Sequence, residues 1–499
     1  METKHGRLLG SMTLGALLLA GPAPAQVSLA PLGDLDTQLA QALQQAGFTG
    51  TVEASLEARL GRPLDPATIE LGRMLFFDNI LGLHEDNSCA GCHSPAFGFG
   101  DSQRMAIGVD NNGIAGPERQ GPRNQRRSPL AVNVEFYPAM MWTARFVALS
   151  GDPFDNSLGF QFPPPEGVIT TTQTLLQAQG SLPSTELVEM AGFTGLIANP
   201  GPFGPAHYQF DDGHGDPLPA PDGTGVHNFP IQDLIDARLN ANAGYLELFG
   251  DAFNGGVPLA PGDITIHMRR EAIAEFQMSL PGADAPLDRF ARGDHSAMTK
   301  KQKLGALQFF GEAGCVNCHA VAGTSNEMFS DFQLHRIGGP QVFPAFGVGL
   351  GNVIFDGPGD DEDFGVEQTS GDPATRYMFR TAPLRNLAVA PGFFHNGAFG
   401  SIEAAIRHHD DVAGSLDGYK AKKNKLPKDL SVGPSEPLLA AGIDPLLATP
   451  LGLTNKQVKA LATFVEQALL DERVLDFCEL VPETVPSGLP VAEFQGCDD

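Results

Sequence analysis

Basic charge is scarce in this chain: 32 Lys and Arg face 59 Asp and Glu, a formal net charge of -27 over 499 residues. A field of that sign repels nucleic acid and anionic membrane, and it either attracts a basic protein or serves solubility alone. Long apolar runs are missing as well. No stretch of about 18 uninterrupted apolar residues follows the N-terminus, which excludes a helical membrane span. The apolar run at 8–20 is too short to span, follows Lys4 and Arg7, and precedes Ala23-Pro24-Ala25. That order of charge, apolar core and small residues is a secretory signal. It predicts cleavage after Ala25 and a soluble mature protein exported to the periplasm. Tryptophan is reduced to one residue, Trp142, and cysteine to six.

Four of those cysteines sit in two copies of one motif, Cys89-Ala90-Gly91-Cys92-His93 and Cys315-Val316-Asn317-Cys318-His319. Cys-X-X-Cys-His attaches haem: two thiols reach the two vinyl groups of one porphyrin, and the adjoining imidazole ligates its iron from the same side. Taken singly, each copy also reads as a zinc half-site or a thioredoxin-like redox pair. Together they point to two covalently bound c-type haems, anchored by Cys89, Cys92, Cys315 and Cys318 and ligated by His93 and His319. Export fits this reading, since haem attachment to such pairs follows translocation in bacteria. The remaining Cys478 and Cys497 either close a disulfide in an oxidising compartment or stay as buried thiols.

Leu71-Gly72 and Phe76-Phe77 precede the first motif, and Leu304-Gly305 with Phe309-Phe310 precede the second, an internal repeat. Asp65-Pro66 offers an N-cap and a first-turn proline, and Thr299 with Gln302 a capping box, so a helix should lead into each motif. The expected fold is mainly α, with two cytochrome c-like haem domains and long irregular loops favoured by 59 Gly and 40 Pro. The expected divisions are a signal peptide at 1–25, an N-terminal haem domain at 26–255, a C-terminal haem domain at 256–475 and a tail at 476–499. Helical patterns recur at 231–249, 264–280 and 401–409. Irregular segments at 108–129, 151–167, 199–230 and 346–372 are long enough to be functional or disordered. The tail from 482 onward reads as an extended strap.

The ordered motifs from about 71 to 470 resemble the bacterial dihaem cytochrome c peroxidases and the related dihaem enzyme that matures methylamine dehydrogenase. The resemblance implies that hydrogen peroxide is reduced at the N-terminal haem with electrons delivered through the C-terminal haem. It makes His93 the proximal ligand of the peroxidatic haem and Trp142 the relay between haems. It also makes Glu189 the distal-pocket carboxylate that takes a proton from one peroxide oxygen and returns it to the other. A small electron-donor protein, a cytochrome or cupredoxin, is the implied partner. Family members are often dimers, although nothing in these residues specifies an interface. Calcium between the domains is a further implication, with Ala390 and Gly392 carbonyls as ligands; the side-chain amide position there is Arg127, a cation that cannot ligate a metal, with Asn124 nearby.

Two departures from the family pattern carry consequences. Where peroxidases have a loop histidine that closes the first haem at rest, this chain has Val109, and no histidine occurs between His93 and Glu189. The first haem is therefore expected to be open at rest. The sixth ligand of the second haem falls fourteen positions after His395, at His409, where peroxidases have methionine and the maturation enzyme tyrosine. Ile402, Ala405, Ile406 and His409 share one helix face, whereas His408 points about 100° away. Bis-histidine ligation lowers the potential relative to histidine–methionine. The leading function is thus an exported dihaem peroxidase. The alternatives are peroxide-dependent oxidation of a protein or organic substrate, and a non-enzymatic dihaem electron carrier.

Overall fold

The computed structural model describes residues 34–163, 165–191, 195–197, 207–209, 228–344 and 362–497. The expected leader and its cleavage after Ala25 lie outside these residues, as do most of the 199–230 and 346–372 segments. Eight helices of nine or more residues are described: α1 (Leu35–Ala46), α2 (Pro66–Phe77), α3 (Asn228–Ala241), α4 (Ala243–Phe253), α5 (Ile266–Met278), α6 (Lys300–Phe310), α7 (Ile402–Asp410) and α8 (Asn455–Thr463). None is long and apolar enough to cross a membrane.

The starts of these helices follow from local chemistry. Asp65 accepts from Thr68 N at 2.8 Å and Pro66 opens the first turn of α2. Thr299 and Gln302 form the reciprocal capping box of α6, and Ser401 Oγ accepts from Ala404 N to begin α7.

Helix is about 42% and strand about 8%, so the architecture is mixed rather than purely helical. The strand content includes a four-stranded antiparallel sheet in the order Ala139–Met140, Phe146–Ala148, Phe160–Gln161, Val168–Ile169. Its last hairpin lies in a stretch expected to be irregular. Strands of two or three residues are too short to write an alternating pattern into the sequence.

Two helix crossings organise the molecule, and they are built alike. In α2, a Cβ on Gly72 would lie 1.9 Å from Ala272 O of α5; in α6, a Cβ on Gly305 would lie 2.1 Å from Ala460 O of α8. Each glycine lets two backbones touch, and each crossing is walled by phenylalanines. Phe76, Phe77, Phe99 and Phe276 interlock in one, and Phe309, Phe310, Phe329 and Phe464 in the other. A third core lies beneath the sheet around Phe136, Phe160 and Phe162.

The ends of the chain cross over. Leu39 and Leu43 of α1 are buried with Phe309 and Phe310, while Val474, Phe477 and Phe494 join Phe76 and Phe99. Glu493–Phe494 pairs in parallel with Ile114–Ala115, and a disulfide joins Cys478 to Cys497. The tail is the expected strap, and it is cross-linked.

Candidate active site

Cys89–Cys92 makes one short helical turn, and His93 N closes it by donating to Cys89 O at 2.9 Å. His319 N does the same with Cys315 O, also at 2.9 Å. Both imidazoles are oriented by a carbonyl: His93 Nδ1 donates to Phe99 O at 3.2 Å, and His319 Nδ1 to Phe329 O at 2.9 Å. The second ring nitrogen is the one left for iron. Phe76 lies 6.2 Å from His93, and Phe309 lies 6.4 Å from His319.

The four motif cysteines are free thiols. Burial pushes Cys89 up to about 12, Cys92 to about 11 and Cys315 to about 12, which disfavours the thiolates that zinc requires. Among the described residues the one group of three or more suited to a shared ion is Cys318, Asp331 and His335; neither motif assembles a zinc set with its own histidine. Paired thiols beside a buried, oriented imidazole and an aromatic wall fit a covalently held haem.

The first motif opens on a cavity of about 1580 Å³ including its mouth, lined by Cys89, Cys92, His93, Trp142 and Glu189 among others. Glu189 sits on a single π-turn, Leu187–Ala191, an irregularity enriched at functional sites. Burial pushes its carboxyl up to about 7; neighbouring Glu186 adds to the rise and Arg145 opposes it. Arg145 is committed to Glu186 at 2.6 Å, so Glu186 is the ion-paired carboxylate and Glu189 the cavity one.

The loop carrying Val109 packs against this turn. Val109 N donates to Val188 O, and a Cβ on Gly108 would lie 2.1 Å from the same carbonyl. Val109 is buried, and His93 is the only histidine among the residues lining the cavity.

Trp142 is pinned between the halves. Its Nε1 donates to Arg127 O at 2.8 Å, its carbonyl accepts from Arg380 N at 2.8 Å, and its ring meets His395 edge-on at 6.5 Å. Arg127 N in turn donates to His395 O at 2.7 Å. The Arg127 guanidinium donates to Gly392 O, a carbonyl expected to ligate calcium. A buried cation on that oxygen does not fit a second, divalent one.

At the second motif the His319 and His409 rings stand 6.5 Å apart. Two metal–imidazole bonds of about 2 Å each leave the two ring radii, so the spacing fits one iron held between them. His409 Nδ1 donates to Ala405 O at 2.8 Å. His408 has both nitrogens engaged, by Ser415 Oγ at 3.0 Å and Ile337 O at 2.9 Å, and is structural. Sequence reasoning missed the π-turn, the Arg145–Glu186 pair and the contact of His395 with Trp142. None follows a local spacing rule; each joins segments distant in the chain or departs from helical period.

Residues 66–296 match the family model for di-haem cytochrome c peroxidase. The methylamine utilization protein MauG of Methylorubrum extorquens is 27% identical over 415 residues, covering 81% of this chain and 88% of the relative. The cytochrome c551 peroxidase of Pseudomonas aeruginosa is 26% identical over 387 residues, covering 76% and 84%. Among solved structures, the diheme peroxidase BthA of Burkholderia thailandensis superposes with a TM-score of 0.52 at 18% identity, covering 87% of this chain and 92% of that one. A MauG-like protein associated with microbial copper homeostasis gives 0.51 at 19% identity, covering 83% and 92%. With two haem-attachment sites built alike and these likenesses spanning both, the chain belongs to the di-haem cytochrome c peroxidase family of oxidoreductases.

Proposed function

We propose that this chain is an exported periplasmic dihaem peroxidase that reduces hydrogen peroxide to water. The observation that carries the reading is one cavity shared by His93, its two cysteines, Glu189 and Trp142. A haem bound there supplies the iron at which the peroxide O–O bond takes up two electrons. Cys89 and Cys92 anchor it, and His93 holds it from one side. Glu189 accepts the proton of the oxygen nearer the metal and returns it to the departing oxygen; a carboxyl pushed up to about 7 has both forms available at neutral pH. Cys315, Cys318, His319 and His409 hold the second haem, and electrons reach the first cavity past Trp142. Each haem sits in a cytochrome c-like unit, one within 26–255 and one within 256–475, with α1 and the 476–499 tail completing each other's partner unit.

Glu189→Gln keeps the shape and removes the proton acceptor. It is expected to slow peroxide turnover about 10²–10⁴-fold while leaving the resting haem absorption unchanged. Turnover within twofold of the parent would remove Glu189 from the mechanism.

A second reading, peroxide-dependent oxidation of a protein or organic substrate, is favoured by the Val109 loop. That loop has no histidine to close the cavity, and Gly108 holds it against the Glu189 turn. Such a first site needs no prior reduction, and the similarity to MauG supports this alternative too. Peroxide consumption that stalls without a one-electron donor separates the leading reading from this one.

A further inference from the structure

Lysine is sparse and unevenly placed in this acidic chain. Of 11 lysines, five fall within nine residues: Lys420, Lys422, Lys423, Lys425 and Lys428. All five are exposed. The segment that carries them is tightly folded: Lys423 N donates to Lys420 O, Lys425 N to Lys422 O and Leu426 N to Ala421 O. Arg104, from the other half, fastens it by donating to Asn424 O at 3.0 Å and Gly397 O at 3.1 Å. The adjoining Asp429 is neutralised by Arg123. A fixed cationic patch therefore stands on a molecule of net charge -27.

Rings join this patch to the second haem site. Tyr419, directly ahead of the first lysine, meets Phe399 edge-on at 5.6 Å. Phe399 meets Phe394 at 5.0 Å, and Phe394 stacks on His409 at 5.5 Å with 21° between the planes. Three ring contacts thus lead from the lysine surface to a proposed iron ligand.

We propose that the 419–428 surface docks a small one-electron carrier protein through an acidic face on that carrier, and that Tyr419, Phe399 and Phe394 bridge the electron to His409. The inference rests on reading His319 and His409 as ligands of the second haem. Each encounter oxidises the carrier by one electron and reduces the second haem site by one. Two encounters supply one peroxide, and no bond forms or breaks at the surface.

Screening over about 8 Å at physiological salt makes the local patch, not the net charge, decide what touches it. A nucleic acid or an anionic membrane would extend past the patch onto acidic surface, whereas a compact acidic face matches its size. Hydrated, rotatable lysine heads suit the small, short-lived contacts of electron-transfer pairs.

The test mixes oxidised holoprotein with a reduced acidic cupredoxin, and separately with a reduced basic cytochrome c, and follows haem reduction by absorbance as salt is raised. The acidic carrier is expected to react faster, with a rate that falls at least tenfold as salt rises. Combined Lys420→Glu, Lys422→Glu, Lys423→Glu and Lys428→Glu should cost about tenfold at low salt. The four glutamine replacements should cost less, and a neutral hydroquinone should reduce every variant at the parent rate. Tyr419→Leu should slow reduction at saturating carrier and leave the salt dependence intact. The proposal is overturned by a faster basic cytochrome, by rates indifferent to the lysines, or by heparin or anionic vesicles binding through the same lysines more tightly than the carrier. Failure of the underlying haem assignment shows separately, as a low-spin spectrum that survives His409→Ala.

Discussion

Two buried carboxyls within this chain differ in what surrounds them, and the difference assigns their work. Glu189 faces a cavity, whereas Glu135 is 3% exposed in the core beneath the sheet, with Oε2 bonded to nothing. Burial pushes Glu135 up to about 8; Glu53 adds to the rise, and its own peptide N–H and Arg59 oppose it. The folded protein therefore keeps a proton that the unfolded chain releases above its ordinary value near 4.5. Stability falls as pH rises from that value to about 8 and is level beyond it. Glu135→Gln removes this loss, so its melting temperature should gain on the parent between pH 5 and pH 8, by several kcal/mol at most, since each pH step is worth roughly 1.4 kcal/mol. A gap that is constant with pH would mean that Glu135 is not held protonated. The histidines show how far residues are legible in sequence alone. Helical spacing separated His409 from His408, and the hydrogen bonds agree, since His408 has no nitrogen left.

At the scale of elements, the Leu-Gly-X-X-X-Phe-Phe repeat acquires a mechanical meaning. Its glycine is a crossing point and its phenylalanines wall the imidazole, once in α2 and once in α6. Gly72→Ala and Gly305→Ala each drive a methyl into a backbone carbonyl. Overpacking of this kind costs about 1–3 kcal/mol or more, so thermal melts of either variant should drop clearly, and an unchanged melt would show that the crossings have slack. α7 presents His409 across from His319, so His409→Ala should convert one of the two haems from low to high spin; an unchanged spectrum would remove the ligand. The repeat, the helix caps and the ligand face were legible because each obeys a short-range rule. The π-turn under Glu189 and the two-residue strands were not, because tertiary packing sets them. The expected calcium failed for a related reason. Backbone carbonyl ligands leave no trace in sequence, and only the fold shows the Arg127 guanidinium on Gly392 O.

The whole molecule is two similar haem-binding crossings tied together by exchanged ends and by a central seam of Arg127, Trp142, Arg380 and His395. The two haem motifs announced the duplication, yet nothing local announced that α1 completes the second core and the tail the first. Those pairings span over 250 residues of chain, beyond the reach of periodicity. The seam places Trp142 against His395 from the opposite half, and the Val109 loop leaves the first cavity without a second histidine. An open first site is the central consequence. It is tested most directly by mixing the fully oxidised holoprotein with one equivalent of hydrogen peroxide, with no reductant added, and following the haem absorption in a stopped-flow instrument. The account predicts an immediate spectral change at the rate of peroxide encounter. No change until one electron per protein is supplied would contradict it, because some other group would then be closing the site opposite His93.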